Sequence, residues 1–338
     1  MSQGYSVAVA GATGAVGREM LRVLEQRSFP VSSLRALASE RSAGTRLPFR
    51  GEEVAVEALR EGSFEGVDLA LFSAGGTVSR RVAPAAARAG AVVVDNSSAF
   101  RMQPGVPLVI PEINPDALAG HEGIVANPNC STILFLMAVH PIHRVARIGR
   151  AVVASYQAVS GSGQKGIEAL RSEMRDLLEG REPRAGLYPY PIAGNVLPFV
   201  DRILEGGHTP EELKLHSETT KILGDPRVKV TATCVRVPVE RAHSEAIHLE
   251  LERKITADEA RALLGAAPGV RVVDDPGRNL FPTPRQAAGG DDVLVGRIRE
   301  DLAFPTGLAL FAAMDQLRKG AALNAVQIAE ELIRRSLL

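Results

Sequence analysis

The first 130 residues alternate short β-branched and small apolar runs with segments rich in Ala, Arg and Glu. YSVAVAG, LRALAS, VDLALFSA, AVVVDNS and GIVANP each predict a strand that ends in small or polar residues. Between several of them, VGREMLRVLEQR and TVSRRVAPAAARAG read as helices. Strand–helix alternation of this kind predicts βαβ units around a mainly parallel sheet.

After residue 150 the rhythm changes. RAVVASYQAVSG predicts a strand and KGIEALRSEMRDLLEG an amphipathic helix, followed by the proline-rich crossing EPRAGLYPYPIAGNVLPF and the helical EELKLHSETTKIL. VKVTATCVRVPV and EAIHLELER then alternate with period two, the pattern of an antiparallel sheet with one wet face. DDVLVGRIRED adds a strand, and LALFAAMDQLRKG and NAVQIAEELIRRSLL close the chain as two helical stretches separated near Gly320. A nucleotide-binding domain followed by an α+β domain is the economical reading. No internal repeat or low-complexity tract interrupts it.

Composition narrows the function. A chain of 338 residues is long for one core, which agrees with two domains. Its 39 basic and 39 acidic residues balance, so no basic field argues for nucleic acid or an anionic membrane. No apolar run approaches the roughly 18 residues of a membrane span. The start MSQGYSVAVAGATG lacks the features of a signal peptide, and the cytoplasm is the expected compartment. Cys130 and Cys234 lie far apart with no CxxC or metal-ligand spacing, so neither a disulfide nor a metal site is expected.

The first chemical signal is VAVAGATGAVGREMLRVL: a strand, then Gly11, Gly14 and Gly17, then a helix. Glycines let the backbone turn tightly and approach a pyrophosphate, which the helix N-terminus stabilises. The spacing is GxxGxxG rather than GxGxxG, and the strand-to-helix context carries the assignment. Thr13, Ala15 and Val16 count with the glycines as cofactor contacts. The second strand should end near residue 39, where an NAD site often places an acid for the ribose. Arg41 and Ser42 there suit a 2′-phosphate and favour NADP, while Glu40 keeps NAD open.

The second signal is NPNCST, followed directly by ILFLMAV. A buried thiol behaves as a small hydrophobe and would sit within the apolar run. Cys130 stands at its entrance instead. If ILFLMAV begins a helix, the unpaired amides and dipole of the first turn favour thiolate over thiol. A thiolate near a nicotinamide suits acyl chemistry: it adds to a carbonyl, the hemithioacetal gives up hydride, and a thioester remains. Backbone amides can stabilise the developing oxyanion. Cys234, inside TATCVRV, reads as a core strand residue.

GATGAVG, RSAG, SSAFRM, NPNCST, SYQAVSGSG, SETTKI, CVRVPVERAHSEA and KGAALNAVQIAE, in that order, resemble the bacterial aspartate-semialdehyde dehydrogenases over nearly the whole chain. The resemblance implies an α/β protein with a Rossmann-like NADP-binding domain over residues 1–130, rejoined by the C-terminal helix at about 318–338. Residues 131–317 would form an α+β catalytic, substrate-binding and dimerisation domain with a mixed or antiparallel sheet, assembling as a homodimer. The implied reaction is the reversible, phosphate-dependent oxidation of L-aspartate 4-semialdehyde to L-4-aspartyl phosphate with NADP. In the cell it would run as the reduction, on the route to lysine, threonine, methionine and isoleucine.

By the same resemblance Cys130 is the nucleophile. An acid/base partner of near-neutral pKa is needed, and a histidine suits it. In RAHSEAIHLELER, residues 243, 245, 247, 249 and 251 share one strand face, apolar from Ile247 onward, whereas His248 faces solvent with Glu250 and Glu252. His243 is inward and matches the family's acid/base position. Arg236 can clamp the substrate carboxylate through two hydrogen bonds. Glu218 and Lys221 share a helix face; the resemblance gives Glu218 to the substrate ammonium and Lys221 to phosphate. It also gives Arg101 to phosphate, Gln157 to substrate orientation near the thiol, and Ser160, Gly161 and Gln316 to the cofactor.

Two other readings fit parts of the pattern. An N-acetyl-glutamyl-phosphate reductase shares the Rossmann domain and the cysteine thioester but should lack the pair SETTKI and VRVPVERAHSEA. An NADP-sensing binding module would have no need of a nucleophile together with a histidine.

Overall fold

The structure, a computed structural model, describes residues 4–338. The chain divides into two compact units, one of residues up to Asn129 together with Gly320–Leu338, the other Cys130–Lys319.

The first unit holds β1 (Tyr5–Ala10), α1 (Ala15–Gln26), β2 (Val31–Ala38), β3 (Arg46–Phe49), β4 (Glu52–Ala58), β5 (Leu69–Phe72), α2 (Gly76–Arg88), β6 (Val92–Asp95) and β7 (Ile124–Ala126). They form a seven-stranded sheet in the order β3-β4-β2-β1-β5-β6-β7. All neighbours are parallel except β3 and β4. Val7–Ala10 and all of β5 are buried on both faces, which is why these strands read as continuous apolar runs instead of alternating.

The β3–β4 hairpin was not expected. Phe49 pairs with Glu52 across Arg50 and Gly51, whose φ values of +51° and +80° suit a two-residue hairpin turn. Arg50 is a poor advertisement for such a turn, and only Gly51 signals it.

The C-terminal helix, Leu323–Arg334, belongs to this unit. Leu323, Val326, Ile328 and Leu332 join Val7, Met20, Leu24, Leu69 and Val94 in one core. Arg27 grips Glu330 through two bonds of 2.7 Å, and Asn324 Nδ2 donates to Val109 O at 3.0 Å and Asn127 Oδ1 at 2.7 Å.

The second unit runs α3 (Cys130–Ala146), β8 (Ile148–Gln157), α4 (Gln164–Leu178), α5 (Pro210–Leu223), β9 (Lys229–Arg236), β10 (His243–Leu251), α6 (Ala257–Gly265), β11 (Val270–Val272), β12 (Val293–Glu300) and β13 (Gly307–Met314). The sheet order is β11-β12-β13-β10-β8-β9. It is mixed, with β8/β9 and β11/β12 parallel and the other pairs antiparallel. The two alternating strands β9 and β10 are therefore not neighbours, because β8 lies between them.

The expected helix over LALFAAMDQLRKG is overturned. Its first seven residues fall in β13, between β12 and β10, and a π-helical turn at Arg318–Ala322 leads into the C-terminal helix. Leu and Ala favour helix by only about 0.5 kcal/mol per residue. Burying each large side chain contributes about 2 kcal/mol in either conformation, so the free partner strands decide. With both faces covered, the strand lacks the alternation that would have revealed it.

Helix α3 is buried from Ser131 to Val139. It contains Pro141, which costs about 3 kcal/mol in a helix interior. Ile133, Leu134, Phe135, Leu136 and Met137, at 2 % exposure or less, each contribute about 2 kcal/mol and outweigh it. The helix consequently starts at Cys130 and stays whole.

Candidate active site

In the first unit, β1 is followed by Gly11, which has φ +88° and where a Cβ would stand 2.3 Å from Ser73 O. At Gly17 a Cβ would meet Gly11 O at 2.2 Å. Glycine is required at both positions, and the chain is drawn tight around the start of α1. That helix has no side-chain cap and no acid in its first turn, so its N-terminal amides keep their positive field. β1 lies between β2 and β5, where the strand order reverses, the position at which open α/β sheets bind nucleotides. Thr13 and Gly14 lie in the turn between β1 and α1, and Ala15 and Val16 are the first residues of the helix.

Arg41 and Ser42 fall in a short 3-10 turn, Glu40–Ser42, just beyond β2. Arg41 is exposed. The Glu40 carboxylate accepts from Arg60 at 3.0 Å. Arg101, in the same unit, is 7 % exposed and donates to Asn127 O at 2.9 Å and Asn96 O at 2.7 Å.

In the second unit, strand register assembles the other residues. Gln157 pairs with Arg236 across β8/β9, and His243 opens β10 opposite Met314. Tyr156 pairs with Ser244, which puts His243 level with Gln157. Arg236, Gln157 and His243 therefore share one row and one face. The next row is Cys234, Ser155, Glu245 and Ala312; the one after is Ala232, Val153, Ile247 and Leu310. Two polar rows end on an apolar floor.

Cys130 is the first residue of α3 and half-buried, and neither cysteine forms a disulfide. Its neighbour Ser131 accepts from Gln157 Nε2 at 2.9 Å, and that same nitrogen lies 3.2 Å from Ser155 Oγ and 3.3 Å from Glu211 Oε1. Gln157 thus links the cysteine's helix to the sheet. Ser131, Ser155 and Glu211 were not singled out by the sequence. Ser155 shares strand parity with Gln157, and that was the available signal.

Ala158 joins the remaining two. Its N–H donates to His243 Nδ1 at 3.0 Å and its carbonyl accepts from Arg236 Nη1 at 2.7 Å. Because a backbone N–H can only donate, Nδ1 is unprotonated and the neutral ring carries its proton on Nε2. Nε2 is buried with no protein partner, and a Cβ on Gly161 would lie 3.3 Å from it and 3.0 Å from Arg236 Nη1. Gly161 leaves room beside both groups.

Burial first, then Arg236, pushes His243 down to about 3. The near-neutral value expected from the sequence is corrected: in this environment the ring is a neutral Nε2–H donor. Glu245 moves the opposite way. Burial first, then Glu211, raises its carboxyl well above the ordinary range, and both oxygens lack partners. Burial likewise raises the Cys234 thiol and keeps it unreactive.

Glu218 and Lys221 lie on α5, Glu218 at 1 % exposure, and burial lowers the Lys221 ammonium while Glu218 opposes that. Ser160 and Gln316 are buried and joined to each other at 2.5 Å.

A family model described as "Semialdehyde dehydrogenase, NAD binding domain" matches residues 6–121, and one described as "Semialdehyde dehydrogenase, dimerisation domain" matches residues 139–319. Aspartate-semialdehyde dehydrogenases of Synechocystis sp. and Aquifex aeolicus are each 52 % identical, the first over 98 % of both chains, the second over 99 % of this chain and all of its own. The chain belongs to the aspartate-semialdehyde dehydrogenase family. Among solved structures, aspartate semialdehyde dehydrogenase II of Vibrio cholerae complexed with ASA superposes with TM-score 0.96 at 46 % identity, covering 98 % of this chain and 99 % of that one. The family's two domain models fall on opposite sides of Cys130. Among the described residues no helix is long and apolar enough to cross a membrane.

Two measurements test the site. Alkylation of the native protein should modify Cys130 and spare Cys234, with both reacting after denaturation; equal native reactivity of Cys234 would contradict its burial. Ring ¹⁵N spectra should show His243 as the neutral Nε2–H tautomer from about pH 8 to about pH 5. Since an unfolded histidine takes up its proton near pH 6.5 and the folded one resists until about 3, this group's contribution to stability is present above 6.5 and is lost as pH falls through that window. A His243 resonance titrating near 6.5 would overturn the assignment.

Proposed function

We propose that the protein is an NADP-dependent enzyme that reversibly oxidises L-aspartate 4-semialdehyde, with phosphate, to L-4-aspartyl phosphate. In the cytoplasm it works as the reduction that supplies lysine, threonine, methionine and isoleucine synthesis. The observation that carries the reading is the row of Arg236, Gln157 and His243 beside a helix that begins at Cys130. The V. cholerae relative complexed with aspartate semialdehyde supports the same substrate.

The chain's own groups divide the work. Cys130 thiolate adds to the aldehyde carbon, and the amides of the first turn of α3 together with His243 Nε2–H stabilise the oxygen as it becomes anionic. Hydride loss re-forms the C–O double bond and leaves an acyl thioester on Cys130. Phosphate attacks that carbon, expels the thiolate and leaves as the acyl phosphate. His243 Nε2–H holds the oxygen by a hydrogen bond through each tetrahedral intermediate and keeps its proton as the double bond returns. Arg236, with one nitrogen on Ala158, keeps its other N–H groups for the substrate carboxylate, and Glu218 for the ammonium. Lys221 and Arg101 are the phosphate cations, and Gln157 orients substrate at the thiol.

The loop of Gly11, Thr13, Gly14, Ala15, Val16 and Gly17 fits a dinucleotide, because its backbone is drawn so tight that a side chain at Gly11 or Gly17 would collide. NADP, when bound, supplies the hydride acceptor. Arg41 and Ser42 suit its 2′-phosphate, and the Glu40–Arg60 pair draws the competing acid aside. Ser160 and Gly161 flank the nicotinamide end. We further propose a homodimer built on the outer face of the six-stranded sheet, where Val152, Tyr156 and Phe281 leave apolar surface exposed.

The purified protein should turn over aspartate semialdehyde with phosphate and NADP, and not the N-acetyl-glutamate analogue. Turnover of the analogue alone would sink the assignment. Cys130→Ala should lower kcat about a thousandfold or more while cofactor binding survives. Arg236→Ala should lower kcat/KM about a hundredfold, largely through KM. Arg41→Ala should weaken NADP more than NAD; equal effects would refute the 2′-phosphate role. Light scattering should give twice the chain mass of 35.9 kDa.

A further inference from the structure

Strand β10 pairs with β13 from His243 onward, opposite Met314. Just before that ladder, Ala242 has φ +76° although it carries a Cβ and is wholly buried. An L-residue rarely adopts this region unless its surroundings hold it there. Beyond Met314 the β13 chain turns away, and side chains continue the pairing that backbone no longer provides. The Ala242 amide donates to Gln316 Oε1 at 2.8 Å, and Gln316 Nε2 donates to Ser160 Oγ at 2.5 Å. Since a backbone N–H must face an acceptor, the orientation of the Gln316 amide is settled. Asp315, also fully buried, accepts from Arg241 Nε at 2.6 Å and secures the preceding residue.

Ser160 lies next to Gly161, whose missing side chain leaves the space beside His243 Nε2. One buried amide therefore ties together the residue before His243 and the residue before Gly161. These are two stretches of backbone that flank the imidazole. We infer that Gln316 is a positioning residue: its side chain holds Ala242 in the left-handed conformation and so aims His243 Nε2 into the site. This rests on the role given to His243 above. It differs from the cofactor contact that family resemblance implies for Gln316, because each end of the amide already has a protein partner.

The test compares Gln316→Met, which keeps volume and loses both bonds, with Gln316→Glu, which keeps the acceptor for Ala242 and can accept from the Ser160 hydroxyl. Gln316→Met should lower kcat at least about tenfold with the KM for NADP changed less than about twofold, and should shift or broaden the His243 ring ¹⁵N signals. Gln316→Glu should retain most of kcat. Adding Ala242→Gly to Gln316→Met should recover about fivefold, because glycine carries no penalty at positive φ. Should Gln316→Met fail to fold, Gln316→Asn, which withdraws the amide by one methylene, is read the same way. A raised KM for NADP with kcat and the His243 signals unchanged overturns the inference, as does absence of rescue by glycine. If the wild type shows no turnover, or His243→Ala keeps full kcat, the functional reading fails instead. The ring signals then still decide whether Gln316 aims His243.

Discussion

The site depends on the backbone of one residue. Ala158 follows the last residue of β8, where the sheet's own ladder stops; its buried N–H has no backbone acceptor there, and its carbonyl has one backbone donor, Gly161 N–H at 3.1 Å. An unsatisfied buried amide costs about 1–3 kcal/mol. His243 Nδ1 takes the N–H, which must be satisfied in any case, and Arg236 Nη1 adds a second donor to the carbonyl, so the two residues meet through the backbone of one residue. That requirement fixes the imidazole's tautomer, leaves Nε2–H turned to the site, and spends one guanidinium nitrogen while leaving the rest. Stability and the geometry proposed for catalysis are the same hydrogen bonds.

The electrostatics follow from the rows beneath. Burial and then Arg236 press His243 toward its neutral form, while burial and then Glu211 press Glu245 toward its protonated form. A proton held on Glu245 avoids an isolated charge two residues from His243, whose cost in an apolar interior would exceed that of most single contacts. Glu211 keeps Lys214 at 3.2 Å and Gln157 for company. The polar rows therefore carry little net charge in spite of their composition, and positive charge is concentrated on Arg236.

Period-two alternation was enough to put His243 on the inward face, and glycines with a strand before and a helix after marked the cofactor loop. Cys130 was legible because it broke the rule that thiols hide in apolar runs. What could not be read follows from features without local signature. β13 is apolar on both faces and rich in helix formers, so only its neighbours make it a strand. The β3–β4 turn places Arg50 at positive φ, where sequence expects glycine or asparagine. His243's depressed basicity arises from burial and from an arginine on another strand, neither visible in RAHSEA. Gln316 fell inside the stretch read as a helix, and no helix could have brought its amide to Ala242.

Helix α3 shows why the place of the proposed nucleophile is set by packing more than by capping. Pro128 precedes it and Pro141 lies inside it, and neither favours a long helix there. The burial of its side chains on every face nonetheless outweighs the interior proline several-fold. A helix apolar all round cannot slide or turn without exposing that surface, so the register that puts Cys130 at its first position is fixed by residues one to two turns away. Upstream, Asn127 is held by Arg101 at its carbonyl and by Asn324 at its side chain. The sulfur is carried by a rigid, buried element, the condition under which a nucleophile can be aimed to a fraction of an ångström.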